Sequence, residues 1–310
     1  MSILVFGSIN MDLVARVPQL PLPGETIQGS HFTTSPGGKG ANQAVAVAKL
    51  GAEVALIGRV GEDGFGQELM EHLQRFGVDV GAIATDPHTS TGIAQILVDD
   101  RGQNQIAIVG GANHTIGNVE LDQLKQRLPQ AKILLLQLEI PLPMVIAAAQ
   151  RAKAAGVTVI LDPAPAPDAL PDELYSAVDI LTPNETEASR LVGFPVTDQD
   201  SAAIATETLQ NRGIDTVIIT LGDRGSFCRT PTEAFFTPAI AVDVVDTVAA
   251  GDGFNGAIAT ALQNGQPWRE AIHWATCAAG LCCTRSGAQF SLPNCQDVDE
   301  KASATSSKNR

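Results

Sequence analysis

A run of small residues in the last quarter of the chain could combine a catalytic carboxylate with an anion-binding site. The letters DTVAAGD run from Asp246 to Asp252 and lead into a predicted helix. Free N–H groups at a helix start attract anions, so Ala249, Ala250 and Gly251 could hold a phosphoryl group while Asp252 faces a reacting hydroxyl. Phosphoryl transfer needs mainly such positioning and charge stabilisation. The alternative is a structural aspartate whose interaction with the helix dipole contributes about 0.3–1 kcal/mol.

The segment SPGGKGANQA, residues 35–44, is a second candidate for a ligand-binding loop. Gly38 and Gly40 allow the backbone to approach a ligand closely, and a predicted helix begins directly after them. Asn42 and Gln43, in the first turn of that helix, would add polar side chains on the ligand side. The segment is not a Walker A loop, because Gly rather than Ser or Thr follows the lysine. The alternative is a tight strand-to-helix turn with a solvated Lys39.

Two further motifs follow predicted strands. In TPNETE, residues 182–187, the side chains of Asn184 and Glu187 are three positions apart and could hold a hydrated Mg²⁺ or the phosphates that it carries. TLGDRG, residues 220–225, lies at the carboxyl end of a predicted parallel strand, where open α/β sheets place nucleotides. The alternatives are a helix with Thr182 as its N-cap for the first motif and a simple hairpin turn for the second.

Polar residues also stand at the ends of two apolar runs. Asn10 and Asp12 follow the first run, and Glu139 follows a later one. A buried carboxylate needs hydrogen-bond donors, which sugar hydroxyls could supply, although a solvated loop acid is an equal alternative. The histidines show no metal-ligand spacing, and no GxSxG motif indicates a hydrolase.

The elements that must position these residues alternate between apolar strands and helices. This alternation predicts an α/β fold with a central, mostly parallel sheet covered by helices on both faces. Segments 11–36 and 91–109 do not fit the alternation, so we expect them to form a small β-sheet lid. A single α/β domain over residues 1–296 is the predicted organisation. The polar residues 297–310 are expected to be a disordered tail.

Composition excludes several classes of function. The chain has 310 residues, with 20 Lys and Arg against 34 Asp and Glu, and its net charge of −14 disfavours nucleic acid as a partner. No apolar stretch approaches the length of a membrane span, and the first residues resemble a strand more than a signal peptide. Five cysteines without a CxxC spacing predict reduced thiols and a cytoplasmic protein.

Five motifs occur along residues 2–294 in a characteristic order: GSINMD, PGGKGANQA, TPNETEA, ITLGDRG and DTVAAGDGFNGA. In this order they resemble the PfkB-type carbohydrate kinases, and the first two resemble the ribokinase group of that family. The resemblance implies a ribokinase-like fold and ATP-dependent phosphorylation of D-ribose at O5. It also implies Mg²⁺, a monovalent cation that is usually K⁺, and a homodimer that pairs through the lid.

The resemblance assigns roles to individual residues of the sugar site. Asp12 would hold two ribose hydroxyls, and Asp252 would be the base aligned with O5. Ala249, Ala250 and Gly251 would form the anion hole for the transferred group. The sugar-site residues implied in this way are Asn10, Met11, Asp12, Gly38, Lys39, Gly40, Ala41, Asn42, Glu139 and Asp252.

The resemblance further implies a nucleotide site and two cation sites. Glu187 would orient Mg²⁺ through water. The nucleotide-site residues would be Asn184, Glu187, Thr220, Leu221, Gly222, Asp223, Arg224, Gly225, Gly251, Asp252 and Thr276. The K⁺ loop would use carboxylate, carbonyl and hydroxyl oxygens of Asp246, Val248, Cys282, Arg285, Gly287 and Ser291.

Two other functions remain open at this point. A related kinase could act on another sugar or on a nucleoside, although aromatic residues make up only 4% of the chain, which disfavours a base pocket. A non-catalytic sugar-binding regulator on the same fold would be expected to lack Asp252 or the anion hole, and both are present.

Overall fold

A computed structural model describes residues 2–306 and shows two separate sheets in that part of the chain. The strands are β1 (Ser2–Phe6), β2 (Asn10–Val17), β3 (His31–Gly37), β4 (Val54–Gly61), β5 (Asp79–Asp86), β6 (Gly92–Asp99), β7 (Asn104–Val109), β8 (Ala131–Leu136), β9 (Thr158–Leu161), β10 (Ile180–Leu181), β11 (Thr216–Thr220), β12 (Gly225–Arg229) and β13 (Ala234–Pro238). The larger sheet has the order β13-β12-β11-β10-β9-β8-β1-β4-β5. Neighbours from β11 to β5 are parallel, and β12 and β13 form an antiparallel edge. The predicted mostly parallel sheet is confirmed.

Helices cover both faces of this sheet. They are α1 (Lys39–Lys49), α2 (Gly64–Arg75), α3 (Asn118–Arg127), α4 (Leu142–Ala154), α5 (Asp172–Ala177), α6 (Glu185–Val192), α7 (Gln199–Gln210), α8 (Ala250–Gln263), α9 (Trp268–Cys282), α10 (Ala288–Ser291) and α11 (Cys295–Ser306). Alternate residues of β1 face opposite layers. Ile3 and Val5 belong to the same core cluster as residues of α1, α8 and α9, whereas Leu4 and Phe6 belong to the cluster that includes residues of α3, α4 and α7. Among residues 2–306, no helix has the length and apolar character of a membrane span.

The smaller sheet comes from the two segments that interrupt the strand–helix alternation. Its order in the described residues is β3-β2-β6-β7, with β2 and β6 parallel and the outer pairs antiparallel. The predicted small second sheet is therefore confirmed. Asn10 opens β2 shortly after β1 ends at Phe6, so the small sheet begins beside the carboxyl edge of the large one. Strand β7 is exposed along its whole length.

The prediction of a disordered tail is wrong for residues 297–306, which belong to α11. Val298 is fully buried, and Ala302 packs against the same core. The indole N–H of Trp274 donates a hydrogen bond to Asp299 Oδ1 at 2.8 Å. These few contacts stabilise a helix whose sequence offers only a narrow apolar stripe. Residues 307–310 lie outside the described residues.

A close backbone approach fixes the start of α1 on the end of β1. A Cβ on Gly40 would lie only 2.7 Å from the carbonyl carbon of Gly7. Ala41 N–H also donates to the carbonyl oxygen of Ser8 at 2.9 Å. Only glycine allows the helix to come this close to the strand. The approach determines where Lys39 and the first turn of α1 stand.

We expect Gly40→Ala to lower the free energy of unfolding by about 1–3 kcal/mol, because the added methyl group overlaps backbone atoms that cannot move aside. Urea denaturation measures the change. Gly64→Ala is the matched control, since a Cβ at the start of α2 meets no atom within 4 Å. Equal stabilities of the two variants would contradict the close approach.

Candidate active site

Four charged side chains meet at the carboxyl edge of the large sheet. Glu139 follows β8, Asp162 follows β9, Lys39 opens α1, and Asp252 lies in the first turn of α8. Lys39 Nζ lies 3.3 Å from Asp162 Oδ2 and 3.9 Å from Asp252 Oδ1. The backbone N–H of Lys39 donates to Glu139 Oε2 at 3.1 Å. The carboxyl edge of a parallel sheet is where such folds bind ligands, so these residues define a candidate cleft.

The Lys39 side chain is an ion-pair partner and not a solvated turn residue. Burial lowers the pKa of its ammonium group, but the carboxylates of Asp162, Asp252, Glu139 and Glu187 outweigh burial and raise that pKa above its ordinary value. Its side chain is 28% exposed. The structure thus places a permanent positive charge in the cleft.

Asp252 is buried and held by two amides of α1. Asn42 Nδ2 donates to Asp252 Oδ2 at 2.9 Å, and Gln43 Nε2 donates to Asp252 Oδ1 at 3.2 Å. Gln43 Nε2 also donates to Asp162 Oδ2 at 3.0 Å. Both carboxylates are nearly inaccessible to solvent. The network fixes the Asp252 carboxylate beside Lys39.

The start of α8 has an unusual backbone conformation. Ala249 is the N-cap residue and has φ of 60°, and it is the only non-glycine residue with positive φ among residues 2–306. Such a conformation costs energy for a residue with a side chain and persists where the surroundings require it. The N–H groups of Ala250 and Gly251 follow in the first turn, where a helix attracts anions. The three residues predicted to form an anion hole therefore lie together.

Asp12 carries a carboxylate without a protein partner. Within residues 2–306 no donor forms a hydrogen bond with it, although a Cβ on neighbouring Gly37 would lie only 2.4 Å from Asp12 Oδ2. Burial, followed by the negative charges of Glu139 and Asp252, raises the pKa of Asp12 to about 7. A partly buried carboxylate in this state would gain from hydroxyl groups that donate to it.

The remaining residues implied for the sugar site differ in what they can offer. Met11 and Ala41 are wholly buried in the core, so only their backbone atoms are available to a ligand. Asn10 Oδ1 accepts a hydrogen bond from Asn113 Nδ2 at 2.7 Å. Gly38 has φ of 87°, and a Cβ there would lie 2.7 Å from the Asn10 nitrogen, so the loop requires glycine at this position.

A cavity of about 600 Å³ lies on the other side of the α8 start. Ile240, Val242, Val244 and Phe254 give it an apolar wall. Its volume and mixed lining are typical of small-molecule sites. The residues implied for the nucleotide site that line it are Asn184, Thr220, Gly222, Asp223, Gly225, Gly251 and Thr276.

Four implied nucleotide-site residues do not line the cavity. Leu221 is fully buried in the core, and the guanidinium of Arg224 pairs with Glu185. Neither side chain belongs to the cavity lining, so a nucleotide contact by Leu221 or Arg224 stays a prediction. Glu187 and Asp252 also lie outside the lining, but both interact electrostatically with Lys39 and so belong to the cleft side.

Asn184 and Glu187 form a capping box at the start of α6. Asn184 Oδ1 accepts the N–H of Glu187 at 2.9 Å, and Glu187 Oε2 accepts the N–H of Asn184 at 2.8 Å. Asn184, and not Thr182, is therefore the N-cap residue. Thr182 Oγ1 instead donates to Asn255 Oδ1 at 2.7 Å. The box fixes the Glu187 carboxylate while leaving its second oxygen available.

The loop implied to bind a monovalent cation is held together by hydrogen bonds. The Asp246 carboxylate accepts the N–H groups of Val248 and Gly287, each at 3.1 Å. The N–H of Arg285 donates to the carbonyl oxygen of Cys282 at 3.3 Å. Residues from two distant parts of the chain are thus brought into one loop cluster beside α8.

The thiol of Cys282 packs among the oxygen atoms of this cluster. Its Sγ lies 3.5 Å from the Val248 carbonyl oxygen and 2.9 Å from Ser291 Oγ. Burial raises the pKa of the Cys282 thiol to about 11, so it is protonated at neutral pH. All five cysteines of the chain are free thiols.

Sequence patterns did not single out several residues of this site. Asp162 directly follows β9, the same placement that identified Asn10 and Glu139, so the same rule could have found it. Burial, with smaller contributions from the Asp252 and Glu187 carboxylates, raises the pKa of Asp162 to about 7, although Lys39 opposes the shift. Gln43 was expected on the ligand side of the glycine-rich loop, whereas Gln289 carries no comparable signal in the sequence.

Asp12→Asn should stabilise the protein more at pH 8 than at pH 5. The folded state retains the Asp12 proton up to about pH 7, whereas the unfolded chain loses it near 3.8, so wild-type stability falls as pH rises between those values. An asparagine has no such loss. We expect its advantage in Tm over wild type to grow by a few degrees between the two pH values, which corresponds to about 1–3 kcal/mol of stability. Differential scanning calorimetry measures it.

Asp100→Asn serves as the control, because Asp100 is an exposed carboxylate on the turn between β6 and β7. Its Tm difference from wild type should be the same at both pH values. A pH-independent difference for Asp12→Asn as well would contradict the raised pKa of Asp12.

Comparison with known proteins agrees with this geometry. Residues 1–295 match the family described as pfkB family carbohydrate kinase. The ribokinase of Haemophilus influenzae is 43% identical over 296 residues, covering 96% of each chain. A deoxyribokinase of Salmonella typhi is 35% identical over 300 residues, covering 97% of this chain and 98% of its own.

A solved structure provides the third comparison. The Arabidopsis thaliana ribokinase complexed with ribose and ATP superimposes with a TM-score of 0.90 at 37% identity, covering 97% of this chain and 98% of that one. Sequence and fold agree over nearly the whole length. The chain belongs to the pfkB family of carbohydrate kinases.

Proposed function

We propose that this chain transfers the γ-phosphoryl group of ATP to O5 of D-ribose, forming D-ribose 5-phosphate and ADP. The observation that carries the proposal is the position of Asp252 between the Lys39 cleft and the cavity. Gly251 lines the cavity, whereas the Asp252 carboxylate contacts Asn42 on the cleft side. A nucleotide and a sugar in these two spaces would meet at the start of α8. The Haemophilus influenzae ribokinase and the Arabidopsis ribokinase complex with ribose and ATP support this choice of substrates.

Asp252 would orient the attacking hydroxyl and accept its proton. Each carboxylate oxygen accepts one amide N–H from α1, which leaves a lone pair on each oxygen for the substrate. A general base must be held within hydrogen-bond reach of the proton it takes. The two amides of Asn42 and Gln43 hold it, so little reorientation is needed when the sugar arrives.

The start of α8 would stabilise the charge on the transferred group. Its first-turn N–H groups and helix dipole favour an anion, and the positive φ of Ala249 sets the direction in which the helix begins. The Lys39 ammonium adds a full positive charge on the cleft side. Preorganised charges of this kind lower the barrier because they need not reorganise during the reaction.

Asp12 and Glu139 would bind the sugar hydroxyls. Asp12 has no hydrogen-bond donor among the described residues 2–306, and Glu139 accepts hydrogen bonds from Ser8 Oγ and the Lys39 N–H. Sugar hydroxyls are donors that a carboxylate binds strongly through charge-assisted hydrogen bonds. Hydroxyls that donate to Asp12 would also favour its ionised form, so ribose binding at pH 7 would release protons.

The donor atoms fit the two cations that the family resemblance implies. Mg²⁺ is commonly held by one or two carboxylates together with substrate phosphates, which suits Glu187 and its free carboxylate oxygen. The loop cluster offers the Asp246 carboxylate, the Val248 carbonyl oxygen and the Ser291 hydroxyl for K⁺. When bound, both cations would supply positive charge that offsets the negative charge of the phosphates.

The smaller sheet would pair two copies of the chain into a homodimer. Phe32, Ile106, Ile108 and Val109 of its strands are each more than half exposed. An apolar patch of this kind on a soluble chain is typical of an interface. The five free thiols favour a cytoplasmic location, where thiols stay reduced.

Asp252→Asn should reduce kcat by about 10²–10⁴-fold while changing the KM for ribose by less than about threefold, because the amide keeps the size of the side chain but cannot accept the proton. A coupled ADP-release assay with Mg-ATP measures both, with and without K⁺. D-ribose, 2-deoxyribose, fructose and adenosine are compared as acceptors. Wild type is expected to be fastest on D-ribose.

Asp200→Asn, an exposed carboxylate on α7, should behave as wild type in the same assay. Normal kcat for Asp252→Asn would remove Asp252 from the mechanism. Turnover on 2-deoxyribose alone would contradict D-ribose as the substrate. It would favour 2-deoxyribose, the sugar that the name of the Salmonella typhi relative indicates for that protein. No turnover on any acceptor, with sugar binding intact in calorimetry, would favour a non-catalytic regulator.

The double variant Ile106→Asp with Ile108→Asp should convert a dimer into a monomer of 32.3 kDa. These side chains stand two residues apart on β7 and so share one face, where two charges would oppose association. Size-exclusion chromatography with light scattering gives the mass. Val119→Asp, exposed on α3 and outside the small sheet, is the control. A dimeric double variant, or a monomeric wild type, would contradict pairing through this sheet.

A further inference from the structure

A line of buried side-chain amides connects α10 to the Asp252 carboxylate. Gln289 Nε2 donates to Asn42 Oδ1 at 3.0 Å, and Asn42 Nδ2 donates to Asp252 Oδ2 at 2.9 Å. Gln289 is fully buried and Asn42 is 6% exposed. Water therefore cannot easily replace either partner. The two hydrogen bonds thus connect α10 to the first turn of α8.

We propose that Gln289 is a positioning residue for phosphoryl transfer, which acts by fixing the direction in which the Asn42 amide faces. An ionised carboxylate can only accept hydrogen bonds, so Asp252 requires the NH₂ group of Asn42. The Asn42 oxygen must then face Gln289 and needs a donor there. The Gln289 NH₂ group supplies it. If that donor is lost, the buried Asn42 oxygen has no partner, and the orientation that serves Asp252 becomes costly.

The surroundings of Gln289 explain why its own amide faces Asn42. Gln289 Oε1 and His72 Nε2 are both buried, and neither has a hydrogen-bond partner of standard geometry within residues 2–306. Burial and the charge of Arg75 lower the pKa of His72, and the Gln289 side chain opposes that change, so the two side chains interact. A neutral imidazole that presents N–H to Gln289 Oε1 leaves the NH₂ group to face Asn42.

The backbone at Gln289 is fixed by contacts other than the line of buried side-chain amides. Lys49 Nζ donates to the Gln289 carbonyl oxygen at 3.3 Å. Two residues earlier, the N–H of Gly287 donates to the Asp246 carboxylate in the loop cluster. Gln289 therefore stands at a set distance from Asn42. This inference rests on the proposed role of Asp252, because it concerns how that carboxylate is held.

Gln289→Met is the direct test, since methionine matches the length of glutamine but cannot donate to Asn42. We expect kcat with D-ribose to fall about 10- to 100-fold, with less than a threefold change in the KM for ribose. Urea denaturation shows whether the variant is folded. Gln289→Ala removes the same donor without overpacking and should give the same result if Gln289→Met does not fold.

A double-mutant cycle separates this role from a general loosening of the site. In an Asn42→Leu background, Gln289→Met should change kcat by less than about twofold, because its effect passes through Asn42. Asp200→Asn, the exposed control on α7, should keep wild-type kcat. A folded Gln289 variant with kcat within twofold of wild type, or an effect that persists without Asn42, would overturn the inference. An inactive wild type would instead refute the proposed function.

Discussion

The arrangement of the cleft depends on the attraction between the Lys39 ammonium group and the carboxylates around it. Four carboxylates, those of Asp162, Asp252, Glu139 and Glu187, act on its charge. Two like charges 4 Å apart repel by about 4 kcal/mol at an effective dielectric constant of 20, a large fraction of the stability of a typical domain. The strand ends can bring these acids together only because a cation stands among them. The glycines that let α1 approach β1 therefore support the electrostatics as much as the packing.

Much of the fold follows from local patterns. The apolar run of β1 and its alternating faces predict a buried strand between two layers, and the small sheet could be inferred from segments that broke the strand–helix alternation. The tail could not be inferred, because α11 depends on a buried Val298 and on a hydrogen bond from Trp274. A polar sequence with one narrow apolar stripe becomes a helix only when a surface is ready to receive it.

The candidate site was predicted where residues of one motif act together and missed where contacts are distant. Ala249 to Asp252 and Gly38 to Asn42 are contiguous, so their chemistry was visible in their order. Gln289 and Asn42 are separated by 247 positions, and no spacing rule connects them. Met11, Ala41 and Leu221 lie beside site residues in the sequence, yet their side chains are in the core. A contiguous motif therefore predicts where a site lies more reliably than it predicts which side chains of the motif face the ligand.

Several features of the site oppose stability. Asp12 is a partly buried acid that no donor in the described part of the chain contacts, and Ala249 has a conformation that favours glycine. Polar groups in such positions are usually paired, and residues with side chains usually avoid positive φ. Both positions adjoin the spaces where substrates would bind. A bound sugar would donate hydrogen bonds to Asp12, and a bound nucleotide would use the backbone direction that Ala249 sets. The folded state should therefore be more stable with its substrates than without them.

The docking of α11 onto α9 has an optical consequence. Trp268 and Trp274 are the two tryptophans of the chain, and both belong to α9. Trp274 donates its indole N–H to Asp299 on α11, while Thr276 and Gly280, further along the same helix, line the cavity. Indole emission depends on hydrogen bonding and on exposure to water. The intrinsic fluorescence of this protein therefore reports from the helix that connects its C-terminal segment to the cavity wall, and no label is needed to observe it.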